Sequence, residues 1–161
     1  MTGAPQVVFV CLGNICRSAM AERVAQSWAA RAGVGACFTS AGISGEEQGN
    51  PIYSTARALL REKGYRDGGH RAHRITDAEL AKADLVICME EFQRGKLRRS
   101  TADEGKLRLL TDFDPDAPSG QSVPDPWGMP MAAFRRTLAS IEAAMPEILA
   151  EVRELAGKSR D

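Results

Sequence analysis

The chain has 161 residues, 43% of them hydrophobic, and its 21 basic and 21 acidic side chains balance to a formal net charge of zero. That length and hydrophobic content predict one compact domain over residues 1–161, with little room for a second. The charge balance excludes an electrostatic nucleic-acid binder and a polybasic membrane anchor, so neither nucleic acid nor membrane is expected as a partner. The segment MTGAPQ has no basic region leading into an apolar core, and no stretch approaches membrane-spanning length, so the expected location is the cytoplasm.

Val7, Val8, Phe9 and Val10 form a short β-favouring run, and Leu12, Gly13, Asn14 and Ile15 follow as a loop with two residues that tolerate left-handed backbone angles. From Ser18 the pattern turns helical. Met20, Val24 and Trp28 recur at four-residue spacing, and Gly33 and Gly35 end the helix. A short strand is expected around Ala36 to Ser40, then a Gly-rich loop to Asn50 and a helix near Pro51 to Lys63 stopped by Gly64. Thr76, Asp77 and Glu79 read as the start of a short helix before a strand from Asp84 to Met89. Glu90 to Arg99 predicts another helix, whose Arg94, Lys96, Arg98 and Arg99 read most simply as a solvated face. Lys106 to Leu110 predicts a fourth strand. A long loop, Thr111 to Pro130, precedes a final helix marked by Phe134, Leu138, Ile141, Met145, Ile148, Val152 and Leu155, expected to kink or break at Pro146. Strands separated by helices predict an α/β fold, a parallel sheet with helices on both faces and ligands at the strands' carboxyl ends.

That end of the first strand carries the chemistry. QVVFVCLGNICRS places Cys11 at the close of the strand and Arg17 six positions later, at a helix start. A loop wrapped round an anion there aims its backbone N–H groups and the helix N-terminus at one spot. Cys11 beneath that spot would act as a thiolate nucleophile, and Arg17 offers a planar fork for two phosphate oxygens. The bare spacing is not rare, and a buried strand-end cysteine beside a surface arginine is the bland alternative. The order strand, glycine-containing loop, arginine, helix is what adds weight.

Cleaving a phosphate ester through cysteine also needs a carboxylic acid for the leaving group and then a base for water. The long loop offers Asp112, Asp114, Asp116 and Asp125. Asp125, in VPDPWG, is favoured because Pro124 and Pro126 stiffen it and Trp127 can line a pocket for an aromatic leaving group. A turn or cap role remains open for each of the four.

With CLGNICRS at 11 to 18, MAE at 20 to 22, SAG at 40 to 42, His70 followed by Arg71 and Ala72, ADLVICME at 83 to 90 and DPW at 125 to 127, the chain resembles the low-molecular-weight protein tyrosine phosphatases. The resemblance implies a four-stranded parallel sheet flanked by helices, with the phosphate-binding loop after strand 1, no metal or cofactor, and hydrolysis of phosphotyrosine in proteins through a cysteinyl-phosphate. It implies Cys11 as nucleophile, Arg17 as phosphoryl clamp and Asp125 as general acid and then base. Leu12, Gly13, Asn14, Ile15, Cys16, Ser18 and Trp127 would surround the phosphoryl group or aryl ring, with Ser18 bonded to the sulfur. Asn14, Ser40 and His70 would hold the loop open, while His73 matches no role and reads as surface. The implied ligands are a tyrosine-phosphorylated protein and inorganic phosphate or another oxyanion.

The chain departs from the family at Ala19, where proline is usual, and in SGEEQG at 44 to 49, where Glu46 takes the place of a common aromatic wall and Glu47 adds a second charge. Trp127 is then expected as the only aromatic wall. The two carboxylates form a candidate specificity rim favouring basic flanks, or else point into solvent. Ile15 stands where a threonine is associated with phosphoarginine hydrolysis, which points toward tyrosine.

Two other functions compete. A thiol-dependent arsenate reductase needs a relay of further cysteines, and only Cys88 lies in the relevant region. A non-catalytic phosphate-binding module would need neither Asp125 nor Ser18. The four cysteines, Cys11, Cys16, Cys37 and Cys88, lack the paired spacings of a zinc site. Cys16 is a candidate redox partner for Cys11, or simply packs beneath the loop.

Overall fold

The computed structural model describes residues 3–158; positions 1–2 and 159–161, the ends of the expected domain, lie outside the described residues. Four strands, β1 (Gln6–Cys11), β2 (Cys37–Gly42), β3 (Leu85–Cys88) and β4 (Leu107–Leu109), pair in the order β2-β1-β3-β4, every pair parallel. The helices are α1 (Arg17–Ala32), α2 (Ser54–Glu62), α3 (Asp77–Lys82), α4 (Glu91–Arg98) and α5 (Met131–Lys158).

Alternation along β1 sends its side chains to two cores. Val7, Phe9 and Cys11 join Phe38 and Ile87 against Met20 and Val24 of α1, Leu59 of α2 and Phe134, Leu138 and Ile141 of α5. Val8 and Val10 join Val86, Cys88 and Leu109 against Leu80 of α3 and Leu97 of α4. Helices therefore cover both faces of the sheet, and both faces of β1 are apolar for that reason. The chain leaves β1 toward β2, then returns past β1 to β3, so the carboxyl ends of β1 and β3 flank a topological switch point. Cys11 lies opposite Gly42, and Val10 opposite Cys88, which brings the residues after all three strands to one rim.

Several boundaries are set by tertiary bonds. β2 extends to Gly42, past the expected Ser40, because Ala41 and Gly42 pair with Val10 and Cys11. The helix expected near Pro51 starts at Ser54, since the N–H of Tyr53 is spent on the carbonyl of Ile15 (2.8 Å) and Tyr53 stays non-helical. Helix α5 starts at Met131, directly after Pro130, and runs unbroken through Pro146, which corrects the expected interruption. Pro146 is solvent-exposed, while Ile141, Ala144, Met145, Ile148 and Leu149 are buried on either side of it. Packing along that face outweighs the one backbone bond that proline cannot donate.

Candidate active site

The loop from Cys11 to Arg17 spends its carbonyls outward. Those of Cys11 and Leu12 accept from the N–H groups of Ile43 and Ser44 (both 3.0 Å), that of Asn14 from His70 Nε2 (2.6 Å), that of Ile15 from Tyr53 (2.8 Å), and that of Cys16 from Met20 (2.9 Å). The N–H groups of Gly13, Asn14, Ile15 and Cys16 have no acceptor among the described residues. Cys16 caps α1 without a side-chain bond, so the helix's first donors are uncapped as well. Gly42 permits the close approach: a Cβ there would lie 2.8 Å from the Leu12 carbonyl oxygen.

Asn14 fixes this shape. Its φ of 62° is left-handed, and no other non-glycine among the described residues has positive φ. The Asn14 amide donates to Ser18 Oγ (2.9 Å) and Ser40 Oγ (3.0 Å), and its Oδ1 accepts the His73 N–H (3.2 Å). Ser40 in turn donates to Glu22 Oε1 (2.9 Å). Ser18 Oγ lies 3.0 Å from Cys11 Sγ, and because it already accepts from Asn14, its own hydrogen is free to donate to the sulfur. His73 is thus not a bystander: its backbone holds Asn14 and its half-buried ring pairs with Glu79 at 2.8 Å, which corrects the surface reading.

Arg17, 1% exposed, comes from the first position of α1. It pairs with Glu90, just beyond β3, and donates from Nη1 to the Val123 carbonyl (2.8 Å), while its buried Nε has no partner. Glu90 was not singled out from sequence, because nothing local ties it to an arginine 73 positions away. The Val123 N–H bonds Met89 O (2.8 Å), which pins the long loop to β3 and brings Asp125 Oδ2 within 3.8 Å of Arg17 Nη2.

The four loop aspartates now separate. Asp112 accepts from the Leu109 N–H and faces Arg94 and Arg108, and Asp114 accepts from the Asp116 N–H. Of the four, only Asp125 lines the cavity over Cys11. That cavity, about 250 Å³, is walled by the loop residues Leu12, Gly13, Ile15 and Cys16, by Arg17, and by Glu46, Glu47 and Trp127. Asn14 and Ser18 are fully buried behind it, as supports. Trp127 is the sole aromatic on the cavity wall, 58% exposed, with Tyr53 against its ring at 6.2 Å between centroids. Glu46 and Glu47 both face the cavity, and Asn50 Nδ2 holds the Glu47 carboxylate at 2.6 Å.

Burial pushes the Cys16 thiol well above its usual range, and the neighbouring Cys11 charge adds to the effect. Burial also pushes Cys88 up to about 12. All four cysteines are free thiols. Among the described residues, no group of three or more His, Cys, Asp or Glu side chains could hold a metal, and no helix is long and apolar enough to cross a membrane.

A thiol at the end of β1, under unspent loop amides and beside a buried guanidinium at the switch point of a parallel sheet, defines an α/β protein whose donors converge on a small cavity over cysteine, chemistry that suits a tetrahedral oxyanion. The family model for low molecular weight phosphotyrosine protein phosphatase matches residues 6–158, and the chain belongs to that family of hydrolases. It is similar to the low molecular weight protein-tyrosine-phosphatase of Streptomyces coelicolor, 36% identical over 155 residues that cover 92% of this chain and 94% of the relative. Its fold matches the crystal structure of YfkJ from Bacillus subtilis with a TM-score of 0.87 at 30% identity, covering 95% of this chain and 97% of that one. It also matches Vibrio vulnificus Wzb in complex with benzylphosphonate, TM-score 0.81 at 25% identity, covering 92% and 99%.

Burial lowers the His70 pKa from 6.5, opposed by its bond to the Asn14 carbonyl. In the window between that value and the folded one, the unfolded chain binds the extra proton, so stability is full above about 6.5 and falls as pH drops. Chemical denaturation across this window is expected to show that decline in wild type and a flatter profile in His70→Gln; equal slopes would refute the assignment.

Proposed function

We propose that the chain hydrolyses phosphotyrosine in proteins, and small aryl phosphates, through a cysteinyl-phosphate on Cys11. One observation carries the reading: a single cavity is lined by Cys11 from the end of β1, Arg17 from the start of α1 and Asp125 from the loop before α5. In the first step the Cys11 thiolate attacks phosphorus, the ester P–O bond breaks, and Asp125 gives its proton to the departing phenoxide. Arg17 and the unspent amides of Gly13 to Cys16 take the phosphoryl oxygens, whose charge needs stabilising as the bond breaks. Glu90 and the Val123 carbonyl fix the orientation of the guanidinium.

In the second step Asp125, now a carboxylate, takes a proton from water as that water attacks phosphorus. The S–P bond breaks, inorganic phosphate forms and the thiolate returns. The Ser18 hydroxyl stabilises the returning sulfur charge. Asp125 Oδ1 accepts the Trp127 N–H at 3.1 Å, which leaves Oδ2, on the Arg17 side, as the oxygen for proton transfer. Leu12, Ile15 and Trp127 supply apolar walls for an aryl ring, and the bound benzylphosphonate of Vibrio vulnificus Wzb has that combination of ring and phosphoryl group. The cytoplasm is the proposed location, since reducing conditions keep Cys11 a thiol.

Arsenate reduction has less support. Cys88 is buried in β3, and exposed Cys37 starts β2 at the opposite end of the sheet, opposite Gln6, so neither supplies a relay. A binding module without turnover has no use for a carboxylate set beside the anion cavity. Metal-free hydrolysis of p-nitrophenyl phosphate at mildly acidic pH is expected for wild type, none for Cys11→Ser, and a kcat lower by about 100-fold or more for Asp125→Asn. A fully active Cys11→Ser would overturn the mechanism.

Glu46 and Glu47 have no ion pair among the described residues and sit on the rim. Phosphopeptides with basic flanks should therefore have lower KM than acidic ones. The Glu46→Gln, Glu47→Gln double variant is expected to narrow the difference several-fold; unchanged selectivity would sink this part of the reading.

For Cys16, burial is the larger cause of the raised thiol pKa and persists, while the lesser cause, the Cys11 charge, is lost when Cys11 becomes an uncharged sulfenic acid, which eases attack by Cys16 on that neighbouring sulfur. Mild peroxide should then yield a Cys11 to Cys16 disulfide, with water released and activity recovered by dithiothreitol. Mass spectrometry showing only Cys11 sulfinate would contradict the protective role.

A further inference from the structure

A second cavity, about 260 Å³, lies behind the catalytic loop. Its wall carries three guanidinium groups, Arg23, Arg66 and Arg71, against one carboxylate, Glu22, together with Ser40 and His70. Arg23 is 3% exposed, a fully charged side chain taken out of water with incomplete compensation. Only its Nη2 makes a short bond, to the Gly68 carbonyl at 2.8 Å. Nη1 is 3.4 Å from Gln26 Oε1 and 3.6 Å from Glu22 Oε2, and the buried Nε has no partner. Arg66 and Arg71 are exposed and have no ion pair or side-chain hydrogen bond among the described residues. The nearby carboxylate of Asp67 is already committed to Arg61 (2.9 Å) and Arg57 (3.6 Å).

We propose that this cavity is a second oxyanion site, distinct from the cavity over Cys11, that takes a phosphoryl group. Three arginines converge where one carboxylate is partly spent on Ser40, which is an excess of fixed positive charge with unused planar donors. The phosphoryl group has two possible sources: free inorganic phosphate, or a second phosphorylated residue on a protein substrate. Glu22, Ser40 and His70 line this cavity and also hold Asn14, directly or through Ser40, so an anion here touches the supports of the catalytic loop.

The test needs no turnover, so it stands or falls separately from the catalytic reading. Inorganic phosphate is titrated into ¹⁵N-labelled protein while backbone amides are followed by NMR. The expected result is two sets of shifts, residues 12–18 with one midpoint and Gly68, Gly69 and His70 with another. In the Arg66→Gln, Arg71→Gln variant, the second midpoint should weaken by roughly tenfold or more, with the first unchanged. Still amides at Gly68 and Gly69 would overturn the proposal. So would a midpoint shared with the loop, or a separate midpoint that the variant leaves alone. Singly and doubly phosphorylated peptides titrated into Cys11→Ser protein then assign the source: tighter binding of the double form, lost on adding Arg66→Gln and Arg71→Gln, marks the substrate, and equal affinities mark free phosphate.

Discussion

The left-handed backbone of Asn14 is the constraint on which the site depends. Holding a non-glycine residue there costs about 1–2 kcal/mol, and the three bonds of its side chain, each worth about 0.5–1.5 kcal/mol, offset that cost. The turn at Asn14 lets the loop's carbonyls face outward to Ile43, Ser44, His70 and Tyr53 while the amides remain unspent. Asparagine suits the position because one amide group donates twice and accepts once: the two Nδ2 hydrogens go to Ser18 and Ser40, and Oδ1 accepts the His73 N–H. A glycine would relieve the strain but would release Ser18 and Ser40, and with them the hydrogen bond aimed at sulfur.

Charge is arranged by the same economy. Arg17 is a buried cation whose partners, Glu90 and the Val123 carbonyl, come from β3's end and the long loop. These contacts fix the guanidinium beside Cys11 and also position the loop that carries Asp125. Cys11, Arg17 and Asp125 therefore share one set of tethers, all at the carboxyl ends of β1 and β3. The switch point of the sheet supplies the space between those ends.

Much of this was legible in the sequence where signals are local. The apolar run of β1, the Thr76 and Glu79 capping box and the spacing of Cys11 to Arg17 each specify themselves. Other features depend on contacts that sequence does not display. Tyr53 is extended because of a bond to Ile15, and β2 reaches Gly42 because β1 is beside it. Glu22, Glu90 and the His73 backbone support the site across 18 to 73 positions, with no spacing rule to mark them. Among the four loop aspartates, the flanking prolines and Trp127 already favour Asp125 in the sequence, and their partners in the fold separate the rest from it. Asp112 and Asp114 are spent on caps and turns, whereas Asp125 faces the cavity.

The central claim is a covalent phosphoryl group on Cys11, and rapid acid quenching of the Asp125→Asn variant with an aryl phosphate, followed by peptide mass spectrometry, tests it directly. With p-nitrophenyl phosphate, whose leaving group departs without a proton from Asp125, the account predicts one phosphoryl group on the peptide containing Cys11, accumulating within the first turnover because the base for the second step is missing. Turnover that continues with no phosphoryl group on Cys11, or with the group on another residue, would contradict it.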